Sequence, residues 1–278
     1  MIYWGETSNL SDKNRRAENE DLCGWLLTGG APDDLASPGK TGVFFVADGV
    51  SNANGKETVR LIERHIRKEA ARLAGAAYDF LEMDEQTRAD EIFLQMKQML
   101  RTVDGWLRPV GHYGATVSVA FVLGDWVYTV NMGDSPILLV RLDEYDEPKE
   151  ELPFGLHTVE ELYYCANQAG EAVAVGEMSE ELALRSDRKD YLTGRVLGDR
   201  PDDSDIKTGK TVLGSNNLLL LGSDGALSVL PKQKLLDVVT DKLPDGVAAM
   251  NRALYNAVRD EEWATDNYTL LAQVIRTR

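Results

Sequence analysis

The stretch "GATVSVAFVLGDWVYTVNMGD", residues 114–134, holds two apolar runs joined at Gly124-Asp125. Gly-Asp is a turn pair, and runs rich in Val, Phe, Tyr and Thr favour strands, so the stretch reads as a β-hairpin with Asp125 in its turn. A hairpin pairs its strands antiparallel, which sets this chain apart from the strict strand–helix alternation of a doubly wound sheet.

Working outward, residues 22–28 (LCGWLLT), 41–48 (TGVFFVAD), 137–142 (ILLVRL), 216–224 (NNLLLLGSD) and 268–276 (YTLLAQVIR) also read as strands. Helices fall between these groups. Val59, Ile62, Ile66, Ala70 and Leu73 recur at spacings of three and four between Lys56 and Leu73, as do Ile92, Met96, Leu100, Val103 and Leu107 before Pro109 and Gly111. A third helix is expected after Pro231, with Leu235, Leu236, Val239 and Leu243 inward. A fourth is expected from Asp245 as its cap, with Val247, Met250, Leu254 and Val258 inward. The expected fold is therefore α+β: a four-layer α-β-β-α sandwich of two mainly antiparallel sheets packed face to face, helices outside. Without repeats or a low-complexity linker, residues 1–278 are expected to form a single domain, least regular between about 143 and 212.

The chain carries a formal charge of -16 and is 43% hydrophobic, enough to bury a sizeable core. The acidic balance argues against unaided binding to nucleic acid or to an anionic membrane. Cys23 and Cys165 form no CxxC pair and read as reduced thiols, and the three histidines, at 65, 112 and 157, form no zinc pattern. The opening "MIYWGETSNL" lacks the basic and apolar regions of a signal peptide, and no run reaches the ~18 apolar residues of a membrane helix. A cytoplasmic location is the expectation.

Aspartates recur at the ends of these strands. Asp48 follows VFFVA, Asp134 follows VYTVNMG, Asp224 follows LLLLGS, Asp266 precedes the last strand, and Asp21 opens LCGWLL. Each alone reads as a turn residue. Together they read differently, because strand ends in packed sheets can share one rim, and several carboxylates there suit Mg²⁺ or Mn²⁺.

"RRAENED" (15–21), "FFVADGVSNANGKE" (44–57), "GATVSVAF" (114–121), "VYTVNMGDS" (127–135), "YLTGRVLGD" (191–199), "LLLLGSDGALSVL" (218–230) and "TDNYTLLAQV" (265–274) occur in this order. The series resembles the motifs of the metal-dependent protein phosphatases of the 2C type (the PPM family), across nearly the whole chain. The resemblance implies a β-sandwich flanked by helices and two Mn²⁺ or Mg²⁺ ions at one rim. Asp48 would bridge both ions, the Gly49 carbonyl would bind one, and Asp224 and Asp266 would hold the other. Asp21 and Glu20 would act through water, and Arg16 would grip the phosphate. Catalysis would then fall to Arg16, Asp21, Asp48 and water made acidic between the cations. Asp134 matches an aspartate that in several bacterial members helps bind a third, weaker ion. Ser228 stands where those members carry a second acid, so no tight third site is expected.

Other positions depart from the family. Val50 replaces the histidine that many eukaryotic members carry after Asp-Gly, Pro136 stands where Arg is usual in Gly-Asp-Ser-Arg, and no "DHS"-like stretch stands out in 160–176. Residues 143–190 correspond to a flap near the active site, in which "MSEELALRSDRKD" (178–190) supplies either a short helix of the flap or an ordinary surface helix. The implied activity is hydrolysis of phosphoserine or phosphothreonine on proteins, opposing a serine/threonine kinase. Two alternatives stand beside it: a catalytically weak or inactive signalling module that binds a phosphoprotein or partner, and an enzyme for a small phosphorylated metabolite.

Overall fold

The computed structural model describes residues 2–28, 41–50, 54–108, 114–142, 158–163 and 165–277. The strands are β1 (Ile2–Asp12), β2 (Asp21–Thr28), β3 (Thr41–Gly49), β4 (Ala115–Leu123), β5 (Trp126–Met132), β6 (Ile137–Arg141), β7 (Thr158–Glu161), β8 (Lys207–Val212), β9 (Asn216–Gly222) and β10 (Tyr268–Thr277). The helices are α1 (Gly55–Gly75), α2 (Ala77–Leu81), α3 (Glu85–Leu107), α4 (Gln168–Ala174), α5 (Glu180–Ala183), α6 (Asp224–Leu227), α7 (Lys232–Lys242) and α8 (Val247–Arg259).

Among the described residues the strands form two five-stranded sheets, ordered β1-β10-β9-β6-β7 and β2-β3-β4-β5-β8, and every pairing there is antiparallel. The hairpin closes as the sequence predicts: Leu123 faces Trp126 and Val117 faces Met132 around Gly124, whose φ of 56° the turn requires.

Alternation along β3 shows how the layers form. Phe44 and Val46 point between the sheets, where they meet Ile137, Leu139, Leu219, Leu221, Leu271 and Ile275. Val43, Phe45 and Ala47 point the other way, onto Ile62 and Ile66 of α1 and Ile92, Met96 and Leu100 of α3. A strand covered on both faces must be apolar at every position, which explains the unbroken run VFFVA. The other sheet is capped in the same manner. Leu218, Leu220, Leu270 and Ala272 pack beneath Val239 of α7 and Met250, Leu254 and Val258 of α8. Burying each such side chain contributes about 1.5–3 kcal/mol, so the three packed layers carry most of the driving force.

Several details differ from the sequence expectation. Strands β1, β7 and β8 are additional to those predicted. Asp245 does not cap α8: it lies in a 3-10 turn over Leu243–Asp245, and Gly246, at φ 103°, takes the cap position without a side chain. The missing acceptor comes from β1, where Glu6 Oε2 takes the Val247 N–H at 2.9 Å. Residues 178–190 form α5 and a separate 3-10 turn at Asp187–Asp190. Residues 143–157 and 164, within the predicted flap, and Pro109 and Gly111 lie outside the described residues.

Candidate metal centre

Antiparallel order brings the start of one strand beside the end of the next, and here it gathers the aspartates. Asp21 opens β2 and pairs in register with Asp48 near the end of β3, which in turn pairs with Thr116 at the start of β4. Asp134 follows β5, Asp224 follows β9, and Asp266 precedes β10. Both sheets thus contribute to a single rim.

Each carboxylate is held by its own local contacts. Asp266 Oδ1 accepts the Asn267 N–H at 2.7 Å, and Asp224 Oδ1 accepts the Gly225 N–H at 2.6 Å. Asp134 is buried and accepts from Asn167 Nδ2 at 2.7 Å. The main chain at Asp134 is fixed by Thr116 and Ser118, whose hydroxyls bond Ser135 Oγ and the Ser135 carbonyl, each at 2.6 Å. Asp21 is different: both its carboxylate oxygens are buried and make no hydrogen bond of ordinary distance and angle, although Ser223 and Asp48 lie near enough to weigh on its ionisation.

Gly49 sits where the chain turns from β3 to α1. Its N–H donates to the Glu20 carbonyl at 3.0 Å, and a Cβ there would lie 2.5 Å from the backbone of Gly55. The loop over residues 13–20 is pinned by two asparagines. Asn267 Oδ1 accepts the Glu20 N–H at 2.9 Å, while its Nδ2 donates to the carbonyls of Lys13 and Glu18 at 3.1 and 2.9 Å. Asn14, at φ 49°, donates from Nδ2 to the carbonyls of Ala264 and Asp266. That loop carries Arg16, whose Nε and Nη2 fork onto the two oxygens of Asp266 at 3.1 and 2.8 Å.

Crowded, desolvated carboxylates resist ionisation. Burial, opposed by the nearby Ser223 hydroxyl and reinforced by the charge of Asp224, pushes Asp21 up to about 7. Burial followed by the Asp224 charge pushes Asp134 up to about 8. Asp224 rises to about 6 through burial and the Asp266 charge, against the pull of the Lys189 ammonium. Asp48 is raised well above the usual range by burial and then by Asp21, Asp224, Asp266 and Asp134. Four neighbouring acids that disfavour their own charge form an oxygen-only donor set. Such a set matches a hard divalent cation, whose charge would reverse each of these shifts.

No family model matches the chain. Among curated proteins it is 24% identical over 216 residues to the probable protein phosphatase 2C 4 of Paramecium tetraurelia, covering 72% of this chain and 68% of that one. It is 25% identical over 131 residues to the protein phosphatase PhpP of Streptococcus pneumoniae, a match spanning 47% of each. Among solved structures it superimposes on the serine/threonine phosphatase Stp1 of Staphylococcus aureus with a TM-score of 0.71 at 15% identity, over 98% of this chain and 95% of that one. The catalytic domain of the phosphatase PstP in complex with two manganese ions gives 0.69 at 16% identity over the whole of both chains. The fold is that of the 2C-type serine/threonine phosphatases.

Against that 2C-type fold, the structure brings Asp21, Asp48, Asp134, Asp224 and Asp266 to one rim, with Gly49 and Glu20 in backbone contact beside them. Among the described residues, no three His, Cys, Asp or Glu side chains close into a ligand set. The fit to a cation rests instead on the buried oxygens of Asp21 and on the mutual repulsion of the four acids. Arg16 and Asp266, expected on a phosphate and on a metal, engage each other. Sequence reading missed Asn14, Asn167 and Asn267, and also Lys189, which shares a small cleft with Asp190, Asp224 and Asp266. An asparagine at a loop end reads as a turn former, so only its partner distinguishes it.

Proposed function

We propose that this chain is a Mn²⁺- or Mg²⁺-dependent serine/threonine protein phosphatase that hydrolyses phosphomonoesters on phosphoproteins and opposes a kinase. One observation carries the reading: aspartates from both sheets meet at one rim, and Asp21 offers two buried oxygens that make no hydrogen bond of ordinary geometry. The 2C-type names of its sequence relatives and its fold support it.

Asp48, the Gly49 carbonyl, Asp224 and Asp266 would hold two divalent cations, with Asp21 and Glu20 reached through water; the ions would neutralise phosphoryl charge and acidify water. The remaining work belongs to the chain. Arg16 presents a planar fork of donors that matches two phosphoryl oxygens as well as it matches Asp266. Val50 offers no proton after Asp-Gly, so the leaving oxygen takes its proton from solvent or another group. Asn167 donates to Asp134, and Ser228 supplies no carboxylate, so a two-ion centre is proposed without a tight third site. In this reading the flap meets the centre at Asn167, which donates to Asp134, and at Lys189 and Asp190, which share a cleft with Asp224 and Asp266.

Hydrolysis of an aryl phosphate and of a phosphothreonine peptide in the presence of Mn²⁺ tests the proposal. Activity is expected with Mn²⁺ and lost in Asp224→Ala, and zero turnover across metals by the folded protein would sink it. The fork of Arg16 on Asp266 favours a second reading, in which the rim stays closed and the fold only binds a partner. Calorimetric titration with Mn²⁺ separates the two: two equivalents lost in Asp224→Ala support the enzyme, and no uptake supports the binding module.

A further inference from the structure

Although the chain carries a net charge of -16, the outward face of α1 is cationic. Arg60, Arg64 and Lys68 follow one another at one-turn spacing and are exposed, with Arg67 beside them. Among the described residues, Arg60, Arg64 and Lys68 form no ion pair, whereas Lys56 is taken by Glu18 at 3.1 Å and Arg67 by Glu63 at 2.9 Å. Like charges four residues apart destabilise a helix slightly, so the row gives α1 nothing in return.

α1 itself begins beside the candidate metal centre. The first residue of α1, Gly55, abuts Gly49, and a groove of about 530 Å³ runs from Glu18 and Glu20 past Lys56 and Leu61 to Arg60 and Arg64. At 1.5 Å per residue, Arg60, Arg64 and Lys68 stand about 8, 14 and 20 Å along the helix from that first residue. An extended polypeptide covers about 3.3 Å per residue, so these positions face groups about two to six residues from one lying at the rim.

We propose that this face docks an acidic stretch of the phosphoprotein substrate, Asp or Glu residues about two to six positions from the phosphorylated one. The inference rests on the phosphatase reading and adds substrate selection to it. The strongly acidic remainder of the molecule repels a polyanion everywhere else, which limits attraction to a short acidic segment rather than a duplex or an anionic bilayer.

The test compares a phosphothreonine peptide bearing three Glu residues in that window with its Ala-substituted counterpart, each measured as kcat/KM relative to an aryl phosphate with Mn²⁺. The intact protein should prefer the acidic peptide, and Arg60→Glu/Arg64→Glu should lower its relative kcat/KM about five- to tenfold. The same variant should gain on a Lys-bearing peptide, and Arg60→Ala/Arg64→Ala should fall between. Fluorescence anisotropy of the non-phosphorylated acidic peptide reads docking without turnover. If no substrate is hydrolysed while that binding is still lost in the variant, the phosphatase reading fails and the docking face stands. Equal preference in protein and variant, or tighter binding of duplex DNA or phosphatidylserine vesicles than of the acidic peptide, overturns the docking proposal.

Discussion

Arg16 separates two roles that one side chain cannot play at once. It is exposed, and its fork occupies both oxygens of Asp266. If the fork moves to a phosphoryl group, Arg16→Ala should raise KM about ten- to a hundredfold and change kcat less, as expected for losing a charge-assisted hydrogen bond of about 1.5–3 kcal/mol. Steady-state kinetics on a phosphopeptide decides it, and unchanged constants would leave Arg16 as a partner of Asp266 alone. Asn167 makes a different case. Its Nδ2 is the side-chain donor to the buried Asp134, and its Oδ1 caps α4 by accepting the Gly170 N–H at 2.8 Å. Asn167→Ala should cost the metal-free protein about 1–3 kcal/mol in urea unfolding, because a buried acceptor loses its partner. The aspartates of the rim were legible from sequence because each interrupts an apolar run, where a carboxylate needs a reason to be. Asn167 and Asn267 sit in polar loops that would accept any turn former, and only long-range contacts reveal their work.

At the scale of elements, two glycines give opposite signs. At Gly49 a Cβ would meet the backbone of Gly55 at 2.5 Å, and backbone cannot swing aside as a side-chain tip can. Gly49→Ala should push the start of α1 away from β3, costing more than about 1 kcal/mol in thermal unfolding and weakening Mn²⁺ uptake. Gly105 lies on the exposed side of α3 with nothing within 4 Å of a Cβ, so Gly105→Ala should stabilise by about 0.5–1 kcal/mol by the same measurement. The same logic of faces explains which elements the sequence reveals. β3, β4, β5, β9 and β10 are covered on both sides and read as apolar runs, while α1, α3, α7 and α8 bury one stripe and read at spacings of three and four. β1, β7 and β8 lie at sheet edges and carry polar residues such as those of KTGKTV, so their periodicity gives no strong signal. The cap of α8 was misread for a related reason: Asp245 has the right chemistry, but Glu6, far away in sequence, supplies the acceptor.

At the scale of the molecule, the rim makes stability depend on proton and cation together. Asp21, at about 7, Asp134, at about 8, and Asp224, at about 6, all stand above the ordinary carboxylate value of about 3.9. The folded metal-free protein therefore binds more protons than the unfolded chain between about pH 4 and pH 8. By linkage, this contribution to stability is greatest at the acid end of that window and is lost as pH rises through it. A divalent cation takes the place of those protons, because it stabilises the ionised carboxylates and binds the folded state selectively. The rise in Tm caused by Mn²⁺ should accordingly be larger at about pH 8 than at about pH 5.5, where protons compete for the same oxygens. Asp224→Ala should shrink the rise at pH 8 while making the metal-free protein less sensitive to pH, since one repelling carboxylate has gone. Melting curves of both proteins at the two pH values, with and without Mn²⁺, test this without any substrate. A Mn²⁺ effect equal at both pH values would show that the ion binds elsewhere than among these aspartates.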